Sequence, residues 1–104
     1  MINSRKKGNT FELDCVKILR TIFNGIKTSR LVSKETDDRG IDLVHTGDWA
    51  FQCKRYAVKY PNLEKSLDMD TEATYKAVIH KRDHKEILVT MNMNDFLKIL
   101  HKLK

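Results

Sequence analysis

The predicted fold class is α/β (α+β): a mixed central sheet of about four strands flanked by helices, in the order αβββαβα. Three observations predict it. Residues 9–24 carry apolar side chains at helical period; residues 41–56 hold two strand-like runs around Gly47-Asp48; and residues 86–91, a short apolar run, lead into an amphipathic stretch at 94–103. Strands joined by hairpins, followed by one reached through a helical crossover, make a mixed sheet.

Each element has its own signal. The first helix spans residues 9–24, NTFELDCVKILRTIFN, with Asn9 or Thr10 as cap and Asn24-Gly25 as stop. Residues 26–32, IKTSRLV, are the first strand, and 33–40, SKETDDRG, a polar loop. Residues 41–46 and 49–56 form the next two strands. Pro61-Asn62 breaks residues 57–68 into a loop or loose helical turn. Residues 70–81, DTEATYKAVIHK, read as a second helix packing through Ala73, Ala77 and Val78. Residues 86–91 are the last strand. Residues 94–103 are a third helix, capped by Asn94, with Phe96, Leu97, Leu100 and Leu103 as its stripe.

The chain of 104 residues is read as one domain, 1–104. Its formal charge of +6, from 20 Lys and Arg against 14 Asp and Glu, favours a polyanionic partner, nucleic acid foremost. Residues 1–8, with Arg5, Lys6 and Lys7, read as a disordered basic arm or a frayed terminus. No apolar run approaches a membrane span, and no apolar stretch follows the basic start as in a signal peptide, so no membrane partner is expected. Cys15 and Cys53 have no metal-type spacing and read as reduced core residues. The expected location is the cytoplasm, or the host cytoplasm if the protein is virus-encoded.

Polar residues interrupt the apolar faces at four places. At about 100° per residue, Val16, Leu19 and Phe23 lie within roughly 40° of Glu12, which therefore sits inside the apolar stripe of its helix. A Glu there is buried only if paired or bound; the plain alternative is a side chain curling to solvent near the helix start. In the strands, Asp42 alternates with Ile41 and Leu43, and Gln52 and Lys54 with Phe51 and Cys53. A three-residue connection, Thr46-Gly47-Asp48, pairs Asp42 with Gln52 and puts Lys54 on the same face; a two-residue turn would mix the faces. Two carboxylates and an amide oxygen suit a hard divalent cation such as Mg²⁺, and a nearby lysine suits a phosphate oxyanion or an attacking water. The competing structural reading is a buried Asp42–Lys54 ion pair that fixes register.

Asp42, a nine-residue gap and Gln52-x-Lys54, behind a helix bearing Glu12, resemble the PD-(D/E)XK nuclease superfamily. RGIDLV, FQCKRY and ILVT are similar to Mrr-type restriction endonuclease domains, and KKGNTFELDCVKIL resembles archaeal-type Holliday junction resolvases. The resemblance implies a restriction-endonuclease-like fold and a homodimeric, Mg²⁺-dependent endodeoxyribonuclease, with Mn²⁺ able to substitute, that acts on four-way or other branched DNA in recombination and repair. It makes Glu12, Asp42, Gln52 and Lys54 the catalytic set. Asp42, Gln52 and the Cys53 carbonyl become metal ligands, Glu12 a ligand direct or through water, and Lys54 the catalytic lysine. Gln52 in place of Glu removes a negative charge and weakens metal affinity. Ser33 and Lys34 are candidate contacts to the scissile phosphate. Arg5, Lys6, Lys7, Arg39, Arg55, Tyr56 and Lys59 are the other candidate DNA contacts. Asp37 and Asp38 are within chain reach of the metal but read first as polar loop residues, and His45, His80, His84 and His101 show no ligand spacing. Alternatives are an Mrr-like or other nuclease on duplex or flap DNA, and a non-catalytic DNA-binding module.

Overall fold

A computed structural model describes residues 4–104; Met1–Asn3, the start of the basic arm, lie outside the described residues. The chain is mixed α/β: α1 Ser4–Leu19, β1 Lys27–Thr28, α2 Ser29–Val32, α3 Lys34–Asp38, β2 Leu43–Val44, β3 Trp49–Tyr56, α4 Leu63–Ser66, β4 Tyr75–Arg82, β5 Ile87–Thr90 and α5 Met93–Leu103. In place of one sheet there are two among the described residues: antiparallel β1-β2, and a three-stranded β3-β4-β5. In the second, β4 runs parallel to β3 and antiparallel to β5.

Helix α1 begins earlier than predicted, so Arg5, Lys6 and Lys7 are helical rather than disordered. It also ends earlier, and Phe23 N–H donates to Leu19 O at 2.8 Å in a closing turn. Phe11, Cys15 and Val16 pack with Ile26, Leu43, Phe51, Ala77 and Ile79, so α1 covers the Phe51 face of the larger sheet. Trp49 stacks on Phe51 at 5.5 Å and on Tyr75 at 4.7 Å. The opposite face buries Ala50 against Ile41 and Met69, with Ala73 alongside.

The predicted helix at 70–81 is instead β4, the central strand. Ala77, Val78, Ile79 and His80 are all buried because a central strand is covered on both faces. Such a strand reads as a continuous apolar run without alternation, and its spaced alanines imitate a helix face. The β3–β4 crossover therefore holds only the single turn α4, capped by Asn62. The predicted strand 26–32 stops at Thr28: the Ser29 hydroxyl donates to Ile41 O at 2.6 Å, and its amide to Asp42 O at 2.8 Å, turning the chain into α2. The polar loop 33–40 contains α3, whose cap is Ser33. Helix α5 is capped by Asn92, not Asn94: Asn92 Oδ1 accepts from Asp95 N–H at 3.0 Å.

The predicted β2–β3 hairpin is also altered. Residues 45–48 connect the strands, with His45 and Gly47 at positive φ, so the connection is neither the two-residue turn nor the three-residue one. Regular pairing of β2 is to β1. Toward β3, Asp42 N–H donates to Phe51 O at 2.8 Å.

Candidate active site

Asp42 lies just before β2, at the edge of β3 away from β4. There the Cys53 amide donates to Asp42 Oδ2 at 2.7 Å. A side chain thus takes the place of a ladder carbonyl and holds the carboxylate against β3. Parity placed Asp42 on the face of Gln52 and Lys54; in the structure it is fixed at the strand edge between the two faces. Burial raises the Asp42 pKa from 3.8 to about 6; the Cys53 amide opposes the shift, Glu12 adds to it, and Lys54 attracts the charged form. The sequence-predicted partners Glu12 and Lys54 are therefore both within electrostatic reach.

Glu12 arrives from the α1 side. It is half-buried, and burial raises its pKa against the pull of Arg30, whose Nε donates to Glu12 Oε1 at 3.0 Å. Arg30 was not predicted; its one sequence signal is a cation amid the apolar run IKTSRLV. Asp37, read as a loop residue, adds negative charge near both Glu12 and Asp42. Its Oδ1 is 3.3 Å from the Ser29 hydroxyl.

Gln52 leaves the opposite face of β3. Its Nε2 donates to Gly40 O at 3.0 Å, while Oε1 is buried with no hydrogen-bond partner. Gly40 has φ +82, and a Cβ there would lie 3.4 Å from Gln52 Nε2, so glycine serves both the turn and the close approach. A buried acceptor without a donor costs about 1–3 kcal/mol, a cost that a ligand would remove. Gln52 and Lys54 line a cavity of about 420 Å³ with Pro61, Asn62, Lys65 and Ser66.

Among the described residues, no three His, Cys, Asp or Glu side chains gather closely enough to hold a metal ion. Asp42 and the main chain of Cys53 meet at the edge of β3, Glu12 comes from the α1 side paired with Arg30, and the orphaned Gln52 oxygen lies on the opposite face of the same strand. Oxygen donors of this kind suit a hard cation of the Mg²⁺ type, with Asp42 and the Cys53 main chain nearest to one another. The Cys53 thiol is pushed well above its ordinary pKa, first by its hydrogen bond with Cys15 and then by burial, so it is an inert neighbour.

Most predicted DNA contacts are tied within the protein. Asp83 holds Lys7, and Arg55 at 3.0 Å. Lys34 pairs with Asp38 at 3.1 Å, and Arg39 with Glu35 at 2.5 Å. Ser33 Oγ donates to Thr36 Oγ1 at 2.8 Å and accepts from the Thr36 amide at 3.2 Å. Arg5, Lys6 and Lys59 are exposed. Tyr56 contacts Tyr60 edge-on at 5.3 Å. No helix among the described residues is long and apolar enough to cross a membrane. Compared with protein-family models, curated proteins and solved structures, the chain matches none.

Proposed function

We propose that the protein is a metal-dependent endodeoxyribonuclease that cuts branched DNA, as a homodimeric Holliday junction resolvase. The observation that carries the reading is the orphaned Gln52 oxygen on the strand that also fixes the Asp42 carboxylate. Both are costly to a structure that has no use for them. A simple Asp42–Lys54 register pair would leave the Gln52 oxygen unexplained.

Asp42, Gln52 and the Cys53 carbonyl would hold Mg²⁺ or Mn²⁺, with Glu12 assisting directly or through water. The cation would neutralise phosphate charge and lower the pKa of a bound water. Lys54 attracts the non-bridging phosphate oxygens and stabilises the charge that develops on them. Arg30 orients Glu12 and favours its charged form against the effect of burial. Lys65, which lines the same cavity as Lys54, would add a second phosphate contact.

Two properties support the dimer. Symmetric cutting of two strands needs two sites, and closed twofold pairs are the common solution. Helix α5 leaves Phe96, Leu97 and Leu100 each more than 40% exposed. A second copy packed antiparallel would cover this stripe with helix dipoles opposed.

The test is a cleavage panel of four-way junction, flap and plain duplex in Mg²⁺. Paired, symmetric nicks confined to the junction are expected. Equal cutting of duplex would assign an Mrr-like activity instead, and binding without cutting in either Mg²⁺ or Mn²⁺ would make the protein a non-catalytic DNA-binding module.

A further inference from the structure

We propose that a second cavity, one step along β3 from Lys54, binds an unpaired nucleobase of the DNA. The inference rests on the nuclease reading and adds a specific feature of its substrate. The cavity holds about 450 Å³ and is lined by Tyr56, Arg82, Lys85, Glu86 and Leu88. Alternation puts Lys54 and Tyr56 on the same face of β3, about 7 Å apart. The register sets Lys54 beside His80, Tyr56 beside Arg82, and His80 beside Leu88. The cavity therefore continues the face that carries Lys54.

The Tyr56 ring is a braced platform. His80 stacks against it at 6.2 Å, and the Arg82 guanidinium lies 5.6 Å from its centroid. His80 is itself 1% exposed and clamped by Thr90 Oγ1 at 2.8 Å, so it gives the platform a fixed backing.

The lining matches a base better than a phosphate. Tyr56 and Leu88 give the lining apolar surface against which a flat heterocycle can lie, while Arg82 and Lys85 suit the flanking phosphates. Glu86 repels a phosphate but accepts a hydrogen bond from the exocyclic amino group of cytosine or adenine. A base inside a duplex cannot enter such a slot, whereas one splayed from a branch or overhang can. Tyr56 thus holds a base rather than the DNA backbone.

The probes are fluorescein-labelled DNAs, one with a short single-stranded cytosine flap and one a blunt duplex of equal length. Binding is read by anisotropy in EDTA, so that no cutting occurs. Leu88→Trp fills the cavity at a position that is half exposed, where the larger side chain is tolerated; an unchanged urea midpoint verifies the fold. The expected result is about a tenfold loss for the flap, the worth of one stacked base, and less than twofold for the duplex. Equal losses on both DNAs, or none on either, overturn the pocket. Wild-type protein that cuts junctions in Mg²⁺ but binds flap and duplex alike overturns the pocket and leaves the nuclease reading intact.

Discussion

Replacing Asp42 by Asn should stabilise the metal-free protein at neutral pH while removing its activity. The carboxyl titrates near 3.8 when exposed and at about 6 in the fold, chiefly because of burial. Below the lower value it is protonated in both states and costs nothing. Between the two, the native state binds more protons than the unfolded chain, so stability falls as pH rises, and above about 6 the loss is complete. A shift of about two units corresponds to about 3 kcal/mol. Asn resembles the protonated acid and can still accept from the Cys53 amide. Asp42→Asn should therefore gain about 3 kcal/mol at pH 8 and only about 0.5 kcal/mol at pH 4. In a chain of this size the larger gain moves the thermal midpoint by about 10–15 °C. Glu12 also titrates upward, but it does so in both proteins and largely cancels in the difference. Urea melts read through Trp49, the one tryptophan, give the two free energies at each pH. Adding Mg²⁺ at pH 8 should stabilise the wild type and leave Asp42→Asn unmoved. A wild type more stable than the variant at pH 8 would instead make Asp42 a structural ion-pair partner of Lys54.

Lys54→Ala should abolish cutting while junction binding, measured by gel shift, stays within a few-fold; a loss of folding would favour the register pair. Asp83 holds Lys7 and Arg55, and these bonds lower its pKa. Asp83→Asn should free both cations for phosphate, tightening DNA binding and steepening its salt dependence by about one to two units of log–log slope; unchanged affinity would remove Lys7 and Arg55 from the DNA surface. Leu100→Glu, on the open face of α5, should yield a folded monomer by sedimentation that nicks junctions singly; a wild type that is already monomeric would exclude the dimer.

The candidate site stands out where chemistry conflicts with pattern, and the fold where pattern is regular. Strand β3 has the predicted bounds because Trp49, Phe51 and Cys53 alternate with Gln52 and Lys54, and the face of the latter pair buries Ala50 before opening into a cavity at Lys54. Glu12 stood out as a carboxylate in an apolar stripe and does approach Asp42. Strand β4 was missed for the opposite reason: buried on both faces, it has no alternation to read. Ser29 and Arg30 were hidden because their partners, the carbonyls of the Asp42 segment and Glu12, lie far along the chain, and nothing local announces a long-range bond. The strand-edge placement of Asp42 was likewise illegible. It depends on a side chain replacing a main-chain acceptor, and residue alternation does not encode that.

The most direct test is the cleavage of a four-way junction by metal-loaded protein, wild type beside Asp42→Asn. Paired symmetric nicks are expected from the wild type in Mg²⁺, and none from the folded, more stable variant. Cutting by Asp42→Asn at the wild-type rate, or no cutting of any DNA by the folded wild type in Mg²⁺ or Mn²⁺, would contradict the nuclease reading.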